Sequence, residues 1–153
     1  MNRLLCNITI LLCVFSFSVI SCQKAPVYTA YKDLNASMWY GSDTVLFSMP
    51  KYIGDIDGEL SLGVRYTSEY EYRNLALCMS LYEDKILVRR DTLRYVLFSD
   101  CDEAVGSGAY FRDEQLNVGQ VTMRHGHRYS VRVHHLMRKD PIVGIKNIFV
   151  NFK

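Results

Sequence analysis

Apolar and polar residues alternate with a period of two along most of the chain after residue 30. This pattern is typical of β-strands with one buried and one exposed face. Turn-forming residues separate the runs, as between Gly54 and Gly58, and the same part of the chain contains no amphipathic helical pattern. Strands are predicted over residues 45–49, 60–66, 75–81, 86–88, 92–98, 118–123, 129–133 and 145–152.

Seven or eight short strands with regularly spaced turns predict an all-β fold. We expect a single antiparallel β-sandwich over residues 31–153, either immunoglobulin-like or jelly-roll-like, with a barrel as the alternative. A polar, glycine-rich loop is predicted over residues 99–108. The sequence contains neither an internal repeat nor a composition change that would mark a second domain.

The N-terminal region has a different pattern, because an apolar run over residues 4–20 follows the single charge of Arg3. At about 1.5 Å per residue this run reaches roughly 25 Å, which is short of the ~30 Å hydrocarbon core of a bilayer. It ends in Val19-Ile20-Ser21-Cys22, which resembles the lipobox of bacterial lipoproteins. We therefore predict a cleaved lipoprotein signal peptide over residues 1–21. The alternative is a plain secretory signal peptide with an incidental cysteine.

Cleavage at this point would make Cys22 the first residue and its thiol the site of lipid attachment. Several acyl chains hold a protein on a membrane more firmly than one chain does, so the predicted partner of Cys22 is membrane lipid. Residues 22–30 then form a lipidated tether. The residues after Cys22, Gln23-Lys24-Ala25-Pro26, contain no acidic run, which favours a periplasm-facing anchor in the cell envelope.

Composition and charge remove one class of partner. The chain has 18 Lys and Arg against 16 Asp and Glu, for a net charge of +2, and the two signs are interspersed. Nucleic-acid binding is therefore not expected. Of the five cysteines, only Cys78 and Cys101 lie within the predicted domain. An oxidising compartment permits a bond between them, and a buried free thiol at Cys78 is the alternative.

Four histidines lie close together in the sequence: His125, His127, His134 and His135. Strand alternation places His127 and His135 on the core side and His134 on the opposite side. A zinc or copper site could use His125 and His127 with a third ligand. However, Gly126 predicts a hairpin turn, and no carboxylate or cysteine between residues 125 and 135 completes a ligand set. No metal site is expected here.

Other candidate chemistry is equally incomplete. The segment Asp55-Ile56-Asp57-Gly58 lacks the remaining ligands of an EF-hand. The acidic residues of the 99–108 loop offer oxygen ligands for calcium, with a solvated loop as the alternative. No catalytic motif for hydrolysis or phosphate binding is present. We therefore predict no enzyme, no catalytic residues and no cofactor.

Aromatic residues suggest one further binding mode. An exposed platform for sugar or protein could be formed by Trp39, Tyr40, Tyr66, Tyr70 and Tyr72. The alternative is that these rings pack against strand faces with their hydroxyl groups in water.

Several short segments together resemble the GldH-type gliding motility lipoproteins of the Bacteroidota. The similarity includes Cys22, Val27-Tyr28, Trp39, Arg73-Asn74-Leu75, Asp91-Thr92-Leu93 and Gly106-Ser107-Gly108. It is clearest over Tyr129-Ser130-Val131-Arg132-Val133, His135-Leu136-Met137-Arg138 and Val143-Gly144-Ile145-Lys146-Asn147-Ile148. The chain departs from the pattern at His135, where the family often has Gln.

This resemblance implies a membrane-anchored envelope lipoprotein without catalytic residues. It implies a component of, or an accessory to, the gliding motility and secretion apparatus, or a role in envelope assembly, with other envelope proteins as partners. We expect the partner contact at Met137, Arg138 and His134. The alternative for these residues is a strand end with Met packed inside and Arg in solvent. The alternative function is a glycan-binding or metal-binding envelope lipoprotein, with its ligand unknown.

Overall fold

Strands provide all the regular secondary structure in residues 26–34 and 38–153, the part of the chain that the computed structural model describes. The longer strands are β1 (Tyr28–Asp33), β3 (Val45–Ser48), β4 (Ile56–Tyr66), β5 (Asn74–Glu83), β6 (Ile86–Val96), β7 (Arg112–Met123), β8 (Tyr129–His135) and β10 (Ile145–Phe152). Two strands of two residues each, β2 (Met38–Trp39) and β9 (Ile142–Val143), complete the set.

The eight longer strands form two four-stranded antiparallel sheets. The first sheet has the order β1-β10-β4-β7, and the second has the order β3-β8-β5-β6. Except for the β5–β6 hairpin, successive long strands alternate between the two sheets, which is the order of an eight-stranded jelly roll. The predicted all-β sandwich is therefore confirmed, and the strand order selects the jelly-roll alternative. Strands β2 and β9 pair separately.

Period-two alternation explains how the core is filled. Along β4, every second residue is fully buried: Leu60, Leu62 and Val64. The same alternation buries every second residue of β5 on the other sheet. Burying this apolar surface is the main favourable contribution to folding, at about 25 cal/mol per Å². The largest fully buried side chains are Trp39, Tyr66, Tyr95, Phe47, Phe152, Leu60, Leu62, Leu75, Leu77, Met79, Leu81 and Leu97.

Some strand boundaries differ from those predicted. Strand β6 is continuous over Ile86–Val96, where two runs were expected, and β7 begins at Arg112, before the predicted start at residue 118. Both are edge strands, so their polar residues remain in solvent and weaken the alternation. Strand β1 begins at Tyr28, inside the segment predicted as tether, because it is held by backbone pairing with β10.

The open sides of the sandwich are closed by contacts between the two sheets. At one side, Arg89 of β6 donates to the carbonyl of Val118 on β7 over 2.6 Å and to Asp91 over 2.8 Å. Gly119 has φ of +124° at the β-bulge opposite Leu60 and Ser61. A side chain at this glycine would touch the Arg89 guanidinium at 3.4 Å.

A close approach of two strands marks the outer face of the first sheet. Gly63 of β4 pairs with Phe149 of β10, and a Cβ atom on Gly63 would lie 2.0 Å from the Phe149 ring. The ring of Tyr31 on β1 lies 5.3 Å from the Phe149 ring, centroid to centroid. Phe149 thus covers the bare backbone of Gly63.

The two ends of the sandwich are distinct. At the first, called the tether end, Val27 donates its backbone N–H to Phe152 near the C-terminus. The opposite end, called the distal end, contains the segment between β8 and β10, together with β2 and β9. The predicted signal peptide and Cys22 lie outside the described residues. Within the described ranges, no helix is long and apolar enough to cross a membrane.

Candidate functional site

The three residues expected to contact a partner lie near the distal end. His134 is on the outer face of β8, half-buried, whereas Met137 packs against the core and its sulfur accepts the N–H of Ala76 over 3.5 Å. Arg138 is exposed. This arrangement matches the alternative of a strand end with Met packed and Arg in solvent. A partner contact at these residues stays a prediction.

His135 has its side chain in the interior of the distal end, only 1% exposed. Its ring lies edge-on to Trp39 with centroids 5.3 Å apart, and its Nδ1 accepts the N–H of Met137 over 3.3 Å. Nε2 has no hydrogen-bond partner among the described residues, and Asp140 Oδ1 is 3.8 Å away. Burial lowers the pKa of His135, and Asp140 opposes that effect only in part.

The aromatic platform expected as one alternative does not form. Trp39, Tyr66 and Tyr70 are buried, and Trp39 donates its indole N–H to the carbonyl of Asp43 over 2.8 Å. Tyr72 is half-buried against Tyr70, and Tyr40 alone of the five is exposed. The packing of these rings is therefore the correct interpretation, and a glycan site built on Trp39 is excluded.

The expectation that the tyrosine hydroxyl groups lie in water was wrong for the buried tyrosines. Their hydroxyl groups bond to backbone carbonyls instead. The Tyr66 hydroxyl, which has one proton to donate, lies within hydrogen-bond distance of two carbonyls, those of Leu97 and Val105. Tyr95 donates to the carbonyl of Leu62 over 2.7 Å. Burial raises the pKa of both phenols. These bonds connect the sheets to each other and to the loop after β6.

The histidines are separated by the fold rather than gathered. His127 lies at the tether end, where its Nδ1 is 2.6 Å from Asp84 Oδ2, and the backbone N–H of His125 donates to Asp55 over 2.7 Å. His134 and His135 occupy opposite faces at the other end of β8. Across residues 26–34 and 38–153, no three His, Cys, Asp or Glu side chains could hold a metal ion.

The acidic residues considered for calcium also have other roles. Asp57 accepts a bond from Thr122 over 2.6 Å, and Asp100 pairs with Arg73. The two cysteines of the domain are both free thiols, with Cys78 buried and Cys101 exposed.

The outer face of the second sheet carries a group of basic residues. Ser80 on β5 is paired with Arg90 of β6 on one side and with Arg132 of β8 on the other. Arg90 Nε donates to Ser80 Oγ over 3.3 Å. The guanidinium of Arg132 lies 4.6 Å from the ring centroid of Tyr82, a cation–π contact.

These residues border a shallow cavity of about 370 Å³. Its lining is Thr44, Leu46, Ser80, Tyr82, Arg90, Arg132 and His134, with no acidic residue among them. Arg94 follows Arg90 by four residues, an even number, and so lies on the same face of β6. We call this surface the arginine face.

The outer face of the first sheet has a different charge balance. There Arg65 forms a two-bond ion pair with Asp113, with N–O distances of 2.7 and 2.6 Å, and Asn151 donates to Gln115 over 2.9 Å. The positive charge of that face is therefore neutralised, whereas on the arginine face it is not.

Residues 26–151 match the family model of the GldH lipoproteins. The chain belongs to this family. It is also 25% identical over 132 residues to a gliding motility lipoprotein GldH homolog from Christiangramia forsetii, covering 83% of this chain and 80% of the relative. The predicted resemblance is confirmed, and membership of a lipoprotein family indicates anchoring at an envelope membrane.

Solved structures match this GldH-family chain only at low similarity. Dimeric latent PorU from Porphyromonas gingivalis matches with a TM-score of 0.38 and 15% identity, over 88% of this chain and 13% of PorU. A CBM35 from Paenibacillus barcinonensis matches with a TM-score of 0.38 and 16% identity, over 86% and 85% of the two chains.

Sequence reasoning missed the arginine face of this GldH-family domain. A signal was present, because Arg90 and Arg94 share one side of a strand, as do Arg132 and His134. What the sequence could not provide was the strand order. Only the pairing of β6 and β8 with the two edges of β5 brings these residues around Ser80.

Proposed function

We propose that this GldH-family chain is a non-enzymatic envelope lipoprotein, anchored by acylated Cys22 and facing the periplasm. In this role it is a component of, or an accessory to, the gliding motility and secretion apparatus or envelope assembly. The observation that carries the proposal is the family match over residues 26–151. The apolar segment and the Ile20-Ser21-Cys22 motif support the anchor.

The fold supports a division between an anchored end and a docking end. The described chain starts at the tether end, where Val27 is bonded to Phe152. The distal end is separated from it by the length of β10, roughly 25 Å for eight residues of strand. A domain tethered in this way presents its distal end away from the lipid.

Apolar side chains are exposed at the distal end. Met38 and Val143 are paired across β2 and β9, and both are exposed, as is Tyr40. Exposed Arg138 lies in the segment that leads to β9. Aromatic, Met and Arg side chains are enriched at protein interfaces, so this end supports docking to an envelope protein.

The test is photocrosslinking from single positions of the full chain in a gliding Bacteroidota host. A photoreactive amino acid replaces Tyr40 or Arg138 at the distal end. The matched control carries it at Gln120, which is exposed on β7. We expect one envelope protein to be captured from the distal positions and not from position 120.

A second arm tests the anchor. Cys22→Ser should prevent lipid labelling and release the chain from the membrane fraction. The absence of any distal-specific crosslink would contradict docking, and retention of lipid by the Cys22→Ser variant would contradict the anchor.

A further inference from the structure

We propose that the arginine face is a binding site for the phosphate group of a small ester or lipid headgroup. The assignment rests on the cavity of about 370 Å³ between Leu46 and Arg90 and on the charge of its walls. It is independent of the docking function, because its arginines lie on the outer face of the second sheet and the docking proposal uses Tyr40 and Arg138.

The two arginines of the site are held in place before any ligand binds. Arg90 is fixed by its bond to Ser80, and Arg132 by its contact with the ring of Tyr82. They occupy strands on either side of β5, so their backbones are about 10 Å apart, or two strand spacings. Side chains that are already ordered lose less conformational entropy on binding.

The charge of the face favours an anion. None of the residues lining the cavity is acidic, and Arg94 adds a further positive charge on the same face, about 13 Å along β6 from Arg90. No ion pair of Arg90, Arg94 or Arg132 occurs within residues 26–34 and 38–153. On the outer face of the first sheet, by contrast, the charge of Arg65 is satisfied by Asp113.

The donor geometry favours phosphate among anions. A guanidinium group presents parallel N–H donors that match two oxygens of a phosphate. Two guanidinium groups on either side of one anion suit a group with several equivalent oxygens. The Ser80 hydroxyl lies between them at the floor of the site, 4% exposed as a residue.

The surroundings favour a phosphate that carries a carbon chain. Leu46 is 45% exposed at the β3 side of the cavity, and it is paired with Arg132 across the strands. Ser80 lies three residues from the tether-end terminus of β5 at Glu83, or roughly 10 Å along the strand. The site is thus close to the end from which the predicted lipid tether leaves.

The experiment is calorimetric titration of the full chain, processed by its host and held in uncharged detergent. Three probes are compared: dihexanoyl phosphatidylglycerol, inorganic phosphate and oligogalacturonate. We expect saturable binding of a phosphate compound, weakened by salt because the contact is electrostatic. Preference for the lipid identifies a headgroup, and equal binding of inorganic phosphate identifies phosphate itself.

The variant Arg90→Gln/Arg132→Gln should weaken phosphate binding at least tenfold. The control Arg112→Gln/Arg124→Gln removes the same charge from the start of β7 and from the turn after it, and should change the affinity less than twofold. If the first double variant melts early, the two single variants carry the test, each with an expected loss of about threefold.

Arg132→Lys keeps the charge but loses the paired donors, so a severalfold loss is expected there as well. Absence of binding to both phosphate probes would overturn the proposal. Equal losses in the control variant, or equally tight binding of the carboxylate polymer, would also overturn it. None of these outcomes bears on docking at the distal end.

Discussion

His135 shows how one buried side chain makes the stability of a β-sandwich depend on pH. Its ring is packed against Trp39, and its Nδ1 accepts a backbone N–H, so the neutral form is the one that the folded state accommodates. Protonation would place a charge in the interior with Asp140 3.8 Å away and half-exposed. The folded pKa therefore lies below the ordinary value of 6.5.

The free energy of unfolding should fall as pH drops below 6.5, down to the folded pKa of His135. In this window the unfolded chain binds a proton that the folded chain does not, so acid favours unfolding. Thermal melts of the full chain between pH 7.5 and 5 measure the effect through the fluorescence of Trp39, the single tryptophan.

His135→Gln should melt at a lower temperature at every pH, because its ring contact with Trp39 is lost, but with a flatter dependence on pH. The control is His125→Gln, which changes an exposed histidine at the tether end and should keep the slope. An unchanged slope in the His135→Gln variant would rule out this residue as the source.

The pairing of β4 with β10 includes a contact between a glycine on one strand and an aromatic ring on the other. Gly63 and Phe149 form such a pair, because the ring occupies the space where a side chain on β4 would lie. Replacing Gly63 by Ala should destabilise the domain by about 1–3 kcal/mol, since the ring and its Tyr31 neighbour must shift. Urea unfolding measures the loss.

The matched control for this change is Gly54→Ala. No atom lies within 4 Å of the position that its Cβ would take, and its φ is not positive. We expect a change within about 0.5 kcal/mol. If both substitutions changed the free energy of unfolding equally, the Phe149 ring would have moved aside without destabilising the domain, and the prediction would be wrong.

A strand could be predicted from the sequence when its own residues show the pattern, and not when it forms by pairing with a distant part of the chain. Strand β10 was predicted at both boundaries because five of its eight residues are Ile, Phe or Val, which favour strands. Strand β1 was not, because Tyr28 and Ala30 are only half-buried and the strand forms by pairing with the far end of the chain. Trp39 had no local pattern that distinguished an exposed ring from a buried one.

The same difference applies to the candidate sites. Cys22 could be predicted from its immediate neighbours, because the lipid-attachment motif is a local one. Arg90 and Arg132 are 42 residues apart in the sequence, and they meet only through the pairing of both strands with β5. The sequence shows which charged residues lie on the same face of one strand, but it does not show which strands are neighbours in the sheet.

At the scale of the whole molecule, the cysteines report on both processing and fold. The full chain has five, of which Cys6 and Cys13 are predicted to leave with the signal peptide and Cys22 is predicted to be acylated. In the domain, Cys101 is exposed and Cys78 is buried, and both are free. A thiol reagent should therefore add one label to the native processed chain and two to the unfolded chain.

Intact mass spectrometry counts these labels without added reductant. Cys101→Ser is the control, and it should give no label when native and one when unfolded. Absence of any label in the unfolded wild-type chain would indicate a bond between the two thiols.

The pairing of β1 with β10 has a mechanical consequence. A pull between a lipid at the tether end and a partner at the distal end acts along the axis of β1. All six residue pairs of the β1–β10 ladder, from Tyr28–Phe152 to Asp33–Asn147, then share the load in shear and are not peeled apart one after another. The ladder therefore resists a force along the tether better than it would resist the same force applied across the strands.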